Sequence, residues 1–337
     1  MTKIQWTDEV WNPIVGCARV SPGCQHCYAE RVAHRGLTER HRGLTVAGAH
    51  GPRWTGEARF VPEVLGKPLH WRKPRRVFVN SMSDLFHDDI TFEQIAAVFG
   101  VMAATPHLTY QVLTKRPRRM VEFFAWLDDQ SMGWPEIYGG QRRDMVMSPC
   151  ARLYLSDGLP ARESWPWPLP NVWLGVSVED QQRADERIPV LLECPAAVRF
   201  LSVEPLLGPV DLNRPAFNGA HFLSATAGIG WVIVGGESGP GARPCNLGWI
   251  RSVVEQCRQA GVPVFVKQVG SCPVGRGIDD VTDQIFADIE RASADDAHLV
   301  RSGMAVRLHL ADRKGGDPSE WPEDLRVQEF PASKGAT

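Results

Sequence analysis

The sequence predicts an α/β protein, a full or partial parallel (β/α) barrel with insertions and a C-terminal tail. Short β-branched and apolar runs recur with helical patterns between them, which is the rhythm of parallel βαβ units. Polar residues gather just after these runs, and a barrel builds its site at the C-terminal ends of its strands. A doubly wound open sheet is the alternative that shares the first observation.

The strand runs are Arg76 to Asn80, Thr109 to Thr114, Val172 to Val178, Val198 to Val203, Trp231 to Val234 and Pro263 to Val266. Each has the length of a buried parallel strand. A helix is expected over Thr91 to Ala104, where Thr91 and Gln94 form a capping box and Phe92, Ile95, Phe99 and Met102 recur at helical spacing. A second starts with Pro117 in its first turn and carries Met120, Phe123, Phe124 and Leu127 on one face. A third runs from an Asn246 cap through Trp249, Ile250, Val253, Val254 and Cys257 to a stop at Gly261.

Three regions fall outside the rhythm. Residues 35–75, rich in Gly, Arg and His, are expected as a long loop over the barrel mouth. Residues 129–170, with Trp134, Trp165, Trp167 and several prolines, read as an insertion between strands. The barrel is expected over residues 1–270, and residues 271–337 as an extension packed back on it.

With 43% hydrophobic and 23% charged residues in 337, the composition is that of a soluble globular protein with a sizeable core, which excludes global disorder and fibrous folds. The longest nearly apolar stretch, Ala96 to Ala104, is far short of the ~18 residues a membrane span needs. Residues 1–13 lack the regions of a signal peptide, so a cytoplasmic protein with no membrane partner is expected. The net charge of −2 hides an asymmetry: residues 31–119 carry 15 Lys and Arg against 7 Asp and Glu. A basic segment on a mildly acidic chain suits a phosphate-bearing partner, although solvated surface charge explains it equally.

Three of the eight cysteines, Cys17, Cys24 and Cys27, lie within eleven residues in the spacing C-x6-C-x2-C; the other five are scattered, as small buried apolar residues are. A reducing compartment does not maintain a disulfide scaffold. Gly16, Pro22 and Gly23 allow the backbone to wrap so that three thiolates converge. Three sulfurs hold three irons of a 4Fe-4S cube and leave the fourth open, which points towards chemistry at the cluster rather than electron transfer alone. Zinc is the rival, with His26 or His34 as fourth ligand; a second C-x2-C knuckle, usual in structural zinc sites, does not occur. A redox or purely structural role for the thiols is the third reading.

A three-cysteine loop ahead of a βα barrel resembles the radical S-adenosylmethionine (SAM) superfamily, although its usual first gap is three residues and here it is six. The joint pattern of Trp6-Thr-Asp, Trp11-Asn-Pro, Gly16-Cys, Ser21-Pro-Gly-Cys-Gln-His-Cys-Tyr-Ala-Glu30, Asn80-Ser-Met-Ser-Asp-Leu-Phe86, Leu113-Thr-Lys-Arg-Pro117, Trp173-Leu-Gly-Val-Ser177, Ser202-Val-Glu-Pro-Leu206 and Gly235-Gly-Glu-Ser-Gly239 is similar to a divergent radical-SAM branch found in phages and bacteria. The resemblance covers the chain from Trp6 to about Pro331. It implies a radical-SAM-like barrel in which Cys17, Cys24 and Cys27 hold a 4Fe-4S cluster whose open iron takes the methionine end of S-adenosyl-L-methionine. One electron from an external donor then gives methionine and a 5′-deoxyadenosyl radical that removes a hydrogen from the substrate. Such a radical must be kept from water, which a covered barrel mouth provides.

Ser81 and Asp84 follow the second strand run, where the superfamily contacts the methionine amino group, and are assigned there. Ser177, Glu179 and Glu204 are candidates for the ribose or the substrate, with helix capping or barrel salt bridges as the structural reading. Gly235-Gly-Glu237 resembles the superfamily's glycine and acid motif but comes several strands too late.

Basic clusters at Arg72-Lys-Pro-Arg-Arg76 and Lys115-Arg-Pro-Arg-Arg119 bracket the second and third strand runs and would attract phosphates. Some phage enzymes similar to this branch act in thymidine hypermodification, which serves restriction evasion. They convert a glycine joined through nitrogen to the thymine methyl carbon into its carbon-linked isomer. The expected substrate is therefore a modified thymidine in DNA, or its nucleotide, met in the host cytoplasm if the chain is phage-encoded. Two alternatives stand beside the isomerase: another radical-SAM reaction on nucleic acid, such as thymine photoproduct repair, and a non-enzymatic zinc or iron–sulfur module that grips nucleic acid.

Overall fold

A computed structural model of the chain describes residues 4–36, 38–49, 51–132, 142–156, 158–160, 165–215, 222–223, 228–276 and 305–332. Trp134 and most of the tail before residue 305 therefore lie outside the described residues.

Seven strands form one sheet: β1 (Glu9–Trp11), β2 (Arg75–Val79), β3 (Leu108–Thr114), β4 (Val172–Ser177), β5 (Val198–Val203), β6 (Trp231–Gly235) and β7 (Val264–Gln268). Their spatial order is their chain order, β1 through β7. The described registers, β1 on β2, β2 on β3, β3 on β4, β5 on β6 and β6 on β7, are all parallel. Adding every strand on the same side with right-handed crossovers puts the helices on one face, the winding of a partial parallel barrel rather than of a doubly wound sheet.

Among the described residues six helices accompany the strands: α1 (Tyr28–His34), α2 (Phe92–Ala104), α3 (Pro117–Ser131), α4 (Asp144–Arg152), α5 (Gln181–Glu193) and α6 (Leu247–Ala260). All six expected strands appear within two residues of their bounds, and β1 is an addition. The Thr91 capping box closes as the sequence requires, with the hydroxyl accepting from the Gln94 amide and the Gln94 side chain accepting from the Thr91 amide. Asn246 caps α6, and Gly261 ends it in the left-handed conformation.

The residues fall into two compact units, Met1–Val176 with Val190–Arg199, and Ser177–Pro189 with Phe200–Thr337. In the first, α2 is buried all round from Ile95 to Ala104, and its Gly100 lies where a Cβ would press on the Met147 carbonyl of α4. Phe99, Phe123 and Phe124 meet with ring centroids 5.1 to 5.6 Å apart, so the helix face expected from Pro117 onwards is core. Residues 35–75, expected as a long loop, instead hold short antiparallel ribbons (Ile14–Gly16 with Ala58–Phe60, Thr45–Val46 with Arg53–Trp54) and three turns of 3-10 helix. Leu44, Trp54, Val61 and Val64 among them bury a small core with Val15, Ala29 and Ala33, and Cys17 and Cys27 pack against it. That apolar demand is why the segment is built rather than loose.

In the second unit Trp231 is fully buried, with Phe200 and Phe265 5.8 and 6.4 Å from it. Val327 and Glu329 exchange backbone hydrogen bonds with β7, and Phe330 stands 5.5 Å from Trp231. No described helix is long and apolar enough to cross a membrane.

Candidate functional site

The cysteine segment starts where β1 and β2 end. After β2 the chain turns through Asn80, which has a φ of 59°. A non-glycine residue there is costly unless its surroundings hold it. They do: the Asn80 amide donates to the Trp11 carbonyl at 2.8 Å, and its Oδ1 accepts from the Ile14 amide at 3.3 Å. Ser83 adds a hydroxyl bond to the Ile14 carbonyl at 2.8 Å and a parallel bridge to Gly16. Gly16 has a φ of 84° and lies where a Cβ would collide with the Glu57 carbonyl, so a glycine must precede Cys17. These contacts put Cys17 at the C-terminal ends of the parallel strands, where such sheets bind ligands.

Between Cys17 and Cys24 the six-residue gap is braced by Arg19, whose guanidinium donates to both carboxylate oxygens of Glu30. Glu30 is buried and also accepts from the Trp54 amide at 3.0 Å. Ser21 and Pro22 turn the chain into Cys24, and the Ser21 hydroxyl lies 3.9 Å from Cys24 Sγ. Cys27 is the cap residue of α1. All three thiols are free and partly buried.

Burial pushes the Cys17 thiol up to about 12; the Asp84 carboxylate and Cys24 add to this, and the Arg116 guanidinium opposes it. Burial also raises Cys27, against the pull of the Ala29 and Glu30 amides at the start of α1 and of Lys115. Arg19 feels the charge of both Cys24 and Cys27. Arg19, Lys115 and Arg116 border these sulfurs, and so do Glu30 and Asp84, the carboxylates that pair with the two arginines. Such thiols ionise when a metal takes the negative charge.

Asp84 and Ser81 lie beside these cysteines. Asp84 is buried and accepts four bonds: from the Phe86 amide at 3.0 Å, Thr114 Oγ1 at 2.8 Å, the Lys115 amide at 3.2 Å and Arg116 Nη1 at 3.0 Å. Protein donors occupy its carboxylate. Arg116 in turn donates to the Ala18 carbonyl at 3.2 Å and lies 4.0 Å from Cys17 Sγ. The Ser81 hydroxyl is 3.3 Å from Asn12 Oδ1, and its carbonyl accepts from the exposed Tyr28 hydroxyl.

Ser177, Glu179 and Glu204 belong to the second unit. Glu179 is fully buried and accepts from Arg187 Nη1 at 3.0 Å, and the same guanidinium holds the Ser177 carbonyl at 2.8 Å. That is the barrel salt bridge. Glu204 follows β5 with its Oε1 taken by Lys267 at 2.6 Å and Gln268 at 2.9 Å, both on β7, leaving the pair partly exposed. Glu237 is buried against Arg243.

The basic clusters are mostly used internally. Arg75 and Arg76 begin β2, at the end of the sheet away from Cys17, and pair with Glu9 at 3.6 Å and Asp8 at 3.0 Å. Arg119 donates to the Ile90 carbonyl at 2.9 Å and lies over Phe92. Arg72, Lys73 and Arg118 remain exposed.

Residues 1–303 match the family described as a protein of unknown function, DUF5131. The chain is a member of that family. No curated protein and no solved structure matches it. For this DUF5131 protein the donor set therefore has to speak for itself. Among the described residues no group of three His, Cys, Asp or Glu side chains could hold a single metal ion. Tetrahedral zinc needs sulfurs about 3.8 Å apart, whereas the corners of an iron–sulfur cube are more widely spaced. His34, one candidate fourth zinc ligand, faces Thr45 Oγ1 at 3.1 Å. As donors, three thiols suit an iron–sulfur cluster in chemistry. Arg19 and Glu30 are the site residues the sequence reading passed over; the one charge inside the six-residue gap was the available signal.

Proposed function

We propose that this protein is a radical-SAM enzyme whose cluster ligands are Cys17, Cys24 and Cys27. The observation that carries the reading is the fixed placement of a three-thiol segment at the C-terminal ends of a consecutively wound parallel sheet. A 4Fe-4S cluster with S-adenosyl-L-methionine would supply there a 5′-deoxyadenosyl radical, the agent of hydrogen abstraction.

The chain's own residues do the rest. Arg19 and Glu30 fix the long first gap, Asn80 and Ser83 fix its start, and the small core under Cys17 and Cys27 keeps water from two of the sulfurs. For the substrate we infer a thymidine bearing glycine on its methyl carbon through nitrogen. Loss of a hydrogen from the glycine α-carbon is favoured because amino and carboxylate groups both stabilise the radical. The bond from methyl carbon to nitrogen breaks, one from methyl carbon to α-carbon forms, and the returned hydrogen ends on nitrogen, so the product is an isomer. The motif resemblance supports this choice of substrate, and the exposed cations Arg72, Lys73 and Arg118 offer phosphates only a thin surface.

Anaerobic reconstitution tests the proposal. The expected protein binds about four irons per chain and releases 5′-deoxyadenosine with dithionite, and Cys24→Ala and Cys27→Ala lose both. Stoichiometric zinc without nucleoside release would establish a metal-binding module instead. Glycine-bearing and irradiated DNA are then incubated with reduced enzyme and digested for mass spectrometry. An unchanged glycinyl nucleoside sinks the isomerase, and loss of photoproducts would replace it with repair.

A further inference from the structure

Cys17 is the ligand that most needs outside support. Six residues separate it from Cys24, and only the 3-10 turn at Pro22–Cys24 gives that gap regular structure. Arg19 holds the gap from within, but its side chain is 33% exposed. A second hold, itself buried, comes from Arg116, about a hundred positions along the chain.

We propose that Arg116 is the positioning residue of the cysteine site: held by Asp84, it fixes the Cys17 segment and directs a cationic N–H at the Cys17 sulfur. The proposal rests on the reading that the three thiols hold a cluster. Arg116 and Asp84 are 8% and 6% exposed at their side chains, so the pair is desolvated and not a screened surface contact. Its geometry is over-determined. Thr114 Oγ1 donates to Asp84 and accepts from the Arg116 amide at 2.8 Å, and Pro117 then starts α3, so the turn after β3 fixes the arginine from its backbone outward. Nη1 is 3.0 Å from Asp84 Oδ2 and 4.0 Å from Cys17 Sγ, while Nη2 reaches the Ala18 carbonyl. A pair serving the fold alone would need Asp84 and nothing from the cysteine segment.

Arginine suits the task because its planar fork serves three acceptors at fixed angles, which a lysine ammonium cannot do. A cation beside one sulfur also favours the more negative, reduced state of a thiolate-bound cluster. Arg116 therefore does two things: it orders the segment before assembly, and it raises the reduction potential afterwards.

The test compares wild type with Arg116→Lys and the double variant Asp84→Asn with Arg116→Gln, which removes both charges and leaves no buried ion unpaired. Circular dichroism establishes that each variant folds. In metal-free protein, amide hydrogen exchange over residues 17–23 is expected to rise about tenfold in the double variant, the scale of losing one charge-assisted hydrogen bond. Peptides from β6 and β7 should be unchanged. In reconstituted protein the midpoint potential, followed by electron paramagnetic resonance, is expected to fall in a third variant, Arg116→Gln alone, because the double variant also removes the Asp84 charge that opposes Arg116 at Cys17. Arg116→Lys should restore most of the potential but not the exchange protection, because it keeps the charge and loses the fork. Wild-type exchange in the double variant together with a wild-type potential in Arg116→Gln would overturn the proposal. A wild type that binds no iron overturns the cluster reading instead, and the exchange measurement alone then decides whether Arg116 orders the segment.

Discussion

His87 shows how the loop after β2 is tied to pH. It is 2% exposed, and its Nδ1 accepts from the Asp89 amide at 3.2 Å, which leaves the ring proton on Nε2. Nε2 is buried and has no hydrogen-bond partner among the described residues. Burial, with the Arg116 guanidinium adding, holds the imidazole below its usual 6.5, although the nearby carboxylates oppose this. A histidine with a depressed folded pKa contributes stability that is complete above the unfolded value and is lost as pH falls through it towards the folded one. Urea midpoints should therefore decline below pH 6.5 in wild type and less steeply in His87→Asn, whose side-chain oxygen replaces Nδ1 as acceptor. Some decline persists in the variant, because burial and Arg40 also depress His41. Identical slopes for the two proteins would remove His87 from the account. At this scale the sequence disclosed the thiols, because their spacing is local. It did not disclose that Asp84 is saturated by Phe86, Thr114, Lys115 and Arg116, since three of those four partners are thirty or more residues away.

Among the elements, those with a strong period and a chemical stop could be read in advance. α2 has ten buried residues and a closed capping box, and α6 ends on a left-handed glycine. Thr91→Ala removes the hydroxyl that takes the Gln94 amide and should cost about 1 kcal/mol, measured by chemical denaturation. Thr91→Ser should restore most of it, and a loss equal to that of Ala would show that the methyl group, not the hydroxyl, is what matters. The unread elements have physical excuses. β1 is three residues long, too short for alternation to show. α4 and α5 carry Pro149 and Pro189 inside them, and a proline within a helical pattern argues against the helix. α1 is seven residues and is held by burial of Ala29, Glu30 and Ala33 rather than by propensity.

Over the whole molecule, consecutive strand order leaves β1 and β7 as edges, and an uncovered edge strand is a template for association. β7 is covered by the tail. The Val266 amide donates to the Val327 carbonyl, the Val264 amide to Glu329 Oε2, and Phe265 bridges Gln328 in antiparallel sense. Trp321 is fully buried with its Nε1 on the Gly315 carbonyl, and Phe330 lies 5.2 Å from Phe265. A chain ending at Gly315 would lose the β7 partners and bare the Trp231 and Phe265 rings, each worth roughly 1.5–3 kcal/mol when buried. The expected result is a protein that aggregates on concentration and whose β6 and β7 amides exchange quickly. Residues 75–131, in the other unit, should keep their exchange protection. Trp321→Ala in the full-length chain separates the causes: it removes one buried ring, at about 3–5 kcal/mol, but leaves the strand edge paired, so it should lower thermal stability without the aggregation. If that variant aggregates as readily as the truncated chain, the bared ring and not the open edge drives association.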